Sequence, residues 1–497
     1  MQERIASAEE LSDRPEVEVM LRDALVLARN SADLQQRLAG MLFRRTAKYA
    51  ASDAWTEAAS SGWRKLAVLP DEVPDLGADI AALASAMEER AAFFAKDDPI
   101  LATNLALTAW GLFGKGRRAY PITRSLFVHL GTGELGKAIE PETFEQILAN
   151  DPKNLVALLG LSNVRRRAGA LDTAEALCRI ALQHWTGNPF AEGRLACVLA
   201  EQGRLHAADR LYQKVGATFG GVEAIIRLAS TFIKAVNFGA DTDSRTIPLE
   251  PLPKETLVVC AGCDSTYFHR YADALANSLA KNARRVALHL HVVDPDAAVE
   301  QRIAAMRQRL PDLPIRSTVE KMPAGIPEDQ RRTYYACARF LHLPRLLATY
   351  RLPVLVLDVD AIVLKDLAPL RRAFEVEEAD FALVIGQTKD PWCTLWADAV
   401  LLAPSARALT YAQRVRAYIN HFLARSEAAW FLDQIALYAV WAAGFRDEPA
   451  PTMIAWPTDL QNTTTSRAYF WSLHMSQPTN ADSPTHPFYR RYQENAI

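Results

Sequence analysis

Two carboxylates one residue apart close an apolar run in the C-terminal half of the chain, Leu352-Pro-Val-Leu-Val-Leu-Asp358-Val-Asp360. An apolar run of this kind reads as a buried strand, and in an open α/β sheet ligands bind beyond the carboxyl ends of the strands. Two like charges that close together repel unless a cation joins them. Mn²⁺ or Mg²⁺ suits such a pair, because hard oxygen ligands hold it and its open positions accept phosphate oxygens. An Asp pair can equally cap a helix or sit in a turn, and the motif taken alone leaves both uses open. A second candidate is Cys260-Ala-Gly-Cys263, a spacing used by redox pairs. Nothing in the chain supplies the second Cys pair of a zinc site. Cys178, Cys197, Cys337 and Cys393 stand in apolar surroundings and read as core.

These residues need elements to hold them. From Glu255 onward short apolar runs alternate with helical patterns. Thr256–Cys260, Val286–Val293, Pro353–Leu357 and Phe381–Ile385 read as strands, and Tyr267–Lys281, Ala297–Leu310 and Tyr334–Leu347 as helices. That alternation predicts an α/β domain with a mostly parallel sheet. Before residue 240 the chain is rich in Ala, Leu and Arg at helical spacing. Arg167–Leu177 aligns with Glu201–Leu211, pairing Gly169 with Gly203, Leu171 with Leu205, Ala174 with Ala208 and Leu177 with Leu211, and the same offset pairs Leu161 with Leu195. The offset of 34 residues is the tetratricopeptide period. Each glycine permits the turn between antiparallel helices, and each alanine permits their close approach. The two units resemble that family, although Ser162 and Ala196 stand where its first helix has glycine; residues 30–150 read as diverged helical pairs of the same kind. The stretch 238–254 holds Gly239, Pro248, Pro251 and Pro253 and no periodicity, so it reads as a linker. The expected organisation is therefore multidomain: an all-α helical repeat over 1–237, the linker, and an α/β domain over 255–497.

Upstream of the Asp pair, Tyr334-Tyr-Ala-Cys-Ala-Arg339-Phe-Leu leads through a short spacer into the strand. With that strand it resembles the nucleotide-diphosphosugar transferases of the GT-A fold, a Rossmann-like α/β fold, and most of all glycosyltransferase family 8. Four further stretches keep the family's order: Leu257 to Tyr267, Trp396-Ala-Asp398-Ala, Trp430-Phe-Leu-Asp433-Gln434, and Ser472-Leu-His474. The resemblance implies a metal held by Asp358, Asp360 and His474, with Arg339 facing the phosphates or sugar. Asp264 and Tyr267 would read the base or ribose, Asp433 the sugar hydroxyls, and Gln434 would sit near the anomeric carbon. Asp398 would lie near donor and acceptor. The family's usual His-x-x-Gly-x-x-Lys reads His474-Met-Ser-Gln477-Pro-Thr-Asn480, so Arg467, Arg490 or Arg491 would have to supply the missing phosphate-binding charge.

Composition limits the partners. The chain has 497 residues with 56 basic and 58 acidic side chains, a formal charge of −2, which excludes a global field for nucleic acid. The N-terminus lacks an apolar signal region, and the run 352–364 is too short and too charged to span a bilayer. The expectation is a cytoplasmic, metal-dependent and retaining transferase using a nucleotide sugar, most simply a UDP-sugar. Its helical repeats would recruit a protein acceptor or partner. A polysaccharide or lipopolysaccharide sugar transferase and a non-catalytic adaptor are the alternative readings.

Overall fold

A computed structural model of the chain describes residues 139–236, 251–386, 390–445, 448–461 and 467–472, with scattered positions between 91 and 106. Its contacts divide the chain into two units, Met1–Leu195 and Ala196–Ile497.

The helical part runs α1 (Pro141–Asn150), α2 (Leu155–Arg167), α3 (Leu171–His184), α4 (Pro189–Glu201), α5 (Leu205–Phe219) and α6 (Ser230–Ala235). The 34-residue offset seen in sequence holds for the starts of α2 and α4 and of α3 and α5. The turns repeat too. After α2, Ala170 N–H donates to Arg165 O at 2.9 Å, and after α4, Arg204 N–H donates to Leu199 O at 2.8 Å. The residue between is Gly169 or Gly203, at φ +77° and +75°, where a side chain would be strained. Most of the diverged pairs expected over 30–150 fall outside the described residues.

Among the described residues the second unit has nine strands. They are β1 (Leu257–Asp264), β2 (Val286–Val293), β3 (Ile315–Glu320), β4 (Val354–Leu357), β5 (Ala361–Val363), β6 (Phe381–Ile385), β7 (Leu395–Leu402), β8 (Met453–Trp456) and β9 (Phe470–Ser472). Between them lie α7 (Ser265–Asn282), α8 (Ala297–Arg309), α9 (Arg331–Tyr350), α10 (Ala368–Val376), α11 (Ala406–Leu423) and α12 (Leu432–Ala443). Seven strands form one sheet in the order β3-β2-β1-β4-β7-β6-β8, and β5 pairs with β9. Six of the seven run the same way, and β7 alone is reversed between β4 and β6. This is the α/β domain with a mostly parallel sheet that the alternation predicts. From β1 the chain winds outward through β2 and β3, then returns to place β4 on the other side of β1. The topological switch point therefore lies between β1 and β4, and the crevice belongs beyond their carboxyl ends.

Leu257, Val259, Ala261 and Cys263 of β1 join the core beneath α7 and α8, together with Leu288, Leu290 and Val292 of β2. The opposite face of β1 lies against α9. A Cβ on Gly262 would stand 2.9 Å from the Arg339 backbone nitrogen, so only glycine lets α9 approach this closely. Cys260 and Cys263, three apart in one strand, point to opposite faces and cannot meet in a disulfide. Burial pushes the Cys260 thiol up to about 12 and the Cys263 thiol higher still. This disposes of the redox reading. None of the six cysteines is in a disulfide, and five of them are buried, with Cys393 half-buried. A thiol reagent should label about one cysteine in the native chain and all six after denaturation; early labelling of Cys260 or Cys263 would show the strand assignment to be wrong.

The sequence places a boundary at 237/238, at the break in periodicity, whereas the contacts divide at Leu195/Ala196. The difference has a physical source. Tyr418 of α11 accepts from Arg227 N–H at 2.9 Å and donates to Ile225 O at 2.5 Å. The Phe232 ring of α6 lies edge-on to Tyr418 at 5.7 Å and to His421 at 4.8 Å. Residues 225–232 thus pack within the α/β unit, although their composition resembles the helical half.

Candidate active site

Asp264 ends β1 and Asp358 follows β4, so both stand at the switch point. Asp264 caps α7, its Oδ1 accepting from Tyr267 N–H at 2.7 Å. Tyr267 is 44% exposed beside it, an aromatic face on the rim of the crevice. Burial and then the negative charge of Asp360 raise the Tyr267 hydroxyl above its ordinary value. Asp358 and Asp360 occupy a tight turn, closed by Ala361 N–H donating to Asp358 O at 3.0 Å. Both side chains are half-buried rather than enclosed.

Beneath the turn lies Arg339 of α9, buried although charged. Its Nη1 donates to Asp358 Oδ1, and its Nη2 donates to Ala397 O at 3.1 Å and to Asp433 Oδ2 at 3.2 Å. A buried guanidinium needs such partners, and here the main-chain carbonyl and two carboxylates engage both Nη groups, while the buried Nε–H has no hydrogen-bond partner among the described residues. Burial works against the Arg339 charge, but Asp358, Asp433 and Asp398 more than offset it and hold its pKa above the usual value. For Asp433 the balance goes the other way. Burial pushes its carboxyl up, Arg339 and the Gln434 N–H oppose that, and Asp358 adds to it.

Reversed β7 brings in the rest. Asp358 N–H donates to Asp398 O at 3.2 Å, tying the end of β4 to β7. The Asp398 side chain is buried, and its Oδ1 accepts from Gln461 Nε2 at 3.0 Å. Gln434, at the start of α12, donates from Nε2 to Leu395 O at 3.0 Å. Arg339, Asp358, Asp398, Asp433 and Gln434 therefore converge on one floor, while Asp264, Tyr267 and Asp360 line its rim. His474, Arg490 and Arg491 lie outside the described residues. Arg467 is exposed and bonds Asp459 at 3.4 Å.

Sequence reasoning missed three contributors. The Ala397 carbonyl and Gln461 carry no side-chain signature of a site; they matter because β7 and the turn after β8 deliver them. The third is an aromatic shelf ahead of Asp433, where Trp430 and Phe431 are 40% and 37% exposed. Phe431 has a positive φ of 72°, and the Arg332 guanidinium lies 4.3 Å over the Trp430 ring. A bulky residue in that backbone region signals strain, and such strain clusters at functional sites.

No protein-family model matches the chain. A phosphoglycerate kinase of Nostoc punctiforme is 27% identical over 197 residues, covering 38% of this chain and 47% of its own length. The chain thus spans about half of that curated relative. Among solved structures, similar ones include the bifunctional glycosyltransferase WbbM, 15% identical over 39% of this chain and 38% of its own. Glycosyltransferase GlyE of Streptococcus pneumoniae is 22% identical over 42% and 46%. Galactosyltransferase LgtC, in complex with donor and acceptor sugar analogues, is 17% identical over 37% and 70%. All three have a TM-score of 0.29. Likeness at this level assigns no family. No helix among the described residues is long and apolar enough to cross a membrane.

Proposed function

We propose that the α/β unit is a glycosyltransferase of the GT-A, family 8 type, using a nucleotide sugar, most simply a UDP-sugar, with a divalent cation. One observation carries this reading. Carboxylates from β1 and β4 flank the switch point of a doubly wound sheet, and a buried arginine beneath them joins Asp358 to Asp433. The donor set fits Mn²⁺ or Mg²⁺, because Asp358 and Asp360 offer hard oxygens from one tight turn that water can reach. His474 would complete the ligands. Bound there, the cation would stabilise the departing nucleoside diphosphate as a Lewis acid.

The chain's own residues divide the remaining work. Tyr267 offers a face for the base, and Asp264 stands beside it for base or ribose. Arg339 orients Asp358 and Asp433 rather than standing open to phosphate. Asp433 and Gln434 form the sugar pocket's floor, with Asp398 and Gln461 behind them. Asp433 already accepts from Arg339 and from Gln434 N–H, which suits an orienting carboxylate better than a nucleophile and favours retention by same-face attack. The repeats over α2–α5 would recruit a protein acceptor, in a cytoplasmic setting. The adaptor reading draws its support from the same arginine, since a guanidinium shared between two aspartates has little left for a diphosphate.

Calorimetric titration with UDP, with and without Mn²⁺, separates the two. The transferase should bind UDP only with the metal, and Asp360→Asn should abolish that binding with little loss of stability. Asp360 is the better test residue, because Asp358→Asn would also disturb Arg339. Metal-independent binding, or Asp360→Asn binding like the parent, would leave the adaptor reading in place.

A further inference from the structure

The strand β2 reads Val286-Ala-Leu-His289-Leu-His291-Val-Val, two histidines at period two inside an otherwise apolar run. Alternation puts both on the face that meets α9. In the parallel register His291 pairs with Thr318 and Val293 with Glu320 of β3, so Thr318 and Glu320 share that face. From α9, His342 and Tyr334 close over them. His291 is fully buried, and its Nε2 lies 3.3 Å from Glu320 Oε1 without forming a well-aligned hydrogen bond. His342 Nε2 is 2.8 Å from Glu320 Oε2, and the two imidazole rings lie 3.8 Å apart. The Tyr334 hydroxyl donates to Glu320 Oε1 at 2.9 Å. None of these groups serves the crevice at the switch point.

We propose that His291 Nε2, Glu320 and His342 Nε2 form a binding site for a divalent transition-metal ion of the zinc class, separate from the Asp358–Asp360 turn. Two imidazoles and one carboxylate with an open fourth position are a zinc donor set. The three ligand atoms lie within 4.8 Å of one another. Bonds of about 2.1 Å in tetrahedral geometry need ligand atoms about 3.4 Å apart. The present spacings of 3.3 Å and 2.8 Å to Glu320 therefore need only small shifts. Glu320 and His342 side chains are 23% and 18% exposed, which gives the ion a way in.

The shell behind the ligands fits as well. His291 Nδ1 is 2.8 Å from Thr318 Oγ1, which is 3.0 Å from His289 Nε2, and His289 Nδ1 is 2.7 Å from the Tyr350 hydroxyl. Every link in that chain can run in either direction. With a metal on His291 Nε2, the imidazole proton sits on Nδ1 and donates to Thr318, Thr318 donates to His289, and His289 donates to Tyr350. A ligating histidine characteristically donates its other N–H in this way. The ion would clamp α9 to β2 and β3, and α9 carries Arg339 three residues before His342.

The test takes the full chain stripped of metal and dialysed against zinc, with bound metal counted by mass spectrometry. The expected result is one zinc per chain and, at a concentration about 100-fold above Kd, a melting temperature raised by roughly 5 °C or more. Cobalt in its place should give the intense visible absorption of a four- or five-coordinate site. Glu320→Gln and His342→Gln should weaken binding by at least about 100-fold, and Thr318→Val, which keeps all three ligands, by about 10-fold or more. Asp360→Asn should bind zinc like the parent, which holds whether or not the sugar-transfer reading is right. Zinc that follows Asp360 rather than Glu320 and His342 overturns the proposal. So does a six-coordinate cobalt spectrum in the parent chain, a readout that stands even where a variant fails to fold.

Discussion

Arg339→Ala should lower the stability of the α/β unit by about 3–5 kcal/mol, the cost of removing one partner from a buried ion pair. The magnitude follows from what is left behind. Asp358 is 24% exposed in its side chain and can turn to water. Asp433 is 10% exposed and keeps only the Gln434 N–H among the bonds described above. Ala397 O loses a donor as well. The same substitution should abolish metal-dependent UDP binding, since the turn bearing Asp358 loses its anchor. Removing both charges is a milder change: Arg339→Met with Asp433→Leu should recover much of the stability but none of the binding. The pH dependence carries a sign. Burial already raises the Asp433 carboxyl, and without Arg339 nothing of opposite charge holds it back. A group whose folded pKa is raised binds extra protons in the native state, so its stabilisation is present at low pH and is lost as pH rises through that value. The deficit of Arg339→Ala against the parent should therefore be smaller at pH about 5 than at pH about 8 in urea unfolding. A deficit under about 1 kcal/mol would mean that Arg339 is only a helix-surface group.

How much of this was legible beforehand depends on the kind of signal. β2 reads the same in sequence and structure, Val286–Val293, because a fully buried strand is a continuous apolar run with turn residues at both ends. Helix α9 was expected over Tyr334–Leu347 and spans Arg331–Tyr350, its interior Pro344 notwithstanding. β3 went unread. Its residues, Ile-Arg-Ser-Thr-Val-Glu, form an edge strand whose pairing with β2 comes from the fold, not from local apolarity. The site divides the same way. Asp358, Asp360 and Arg339 could be picked out because each is a charge inside an apolar setting. That Arg339 bonds both Asp358 and Asp433 could not be read, since 94 residues separate it from Asp433 and only the return of α12 to the sheet closes that distance. The two histidines of β2 were in plain view at period two, but their partner Glu320 sits on the strand that went unread.

A chain beginning at Pro189 should stay soluble and bind UDP with Mn²⁺, whereas one beginning at Leu249 should aggregate or lose cooperative unfolding. The break in periodicity at 238–254 recommends the second cut; the packing recommends the first. Cutting at Leu249 strips Ile225, Ile226, Leu228 and Ile233, all at most 1% exposed. Each such side chain contributes about 1.5–3 kcal/mol on burial, an upper figure that the regained entropy of about 1–2 kcal/mol per freed residue partly offsets. What remains is worse than the lost area. Tyr418, a residue 1% exposed in the whole chain, loses both partners of its hydroxyl, Arg227 N–H and Ile225 O, and an unsatisfied buried hydroxyl costs about 1–3 kcal/mol. Tyr418, His421 and Phe422 of α11 would then present a bare aromatic face where Phe232 had covered them, and exposed patches of that kind drive association. Against a domain stability of about 5–15 kcal/mol, losses of this size remove most of the margin. Replacing Phe232 by alanine in the longer chain isolates the covering contact; the ring is half-buried, so the expected cost is about 1–2 kcal/mol, less than for a core phenylalanine. Should the chain from Leu249 instead match the longer one in solubility and in melting temperature, the boundary at 237/238 would be the true one, and α4–α6 would belong to the repeats alone.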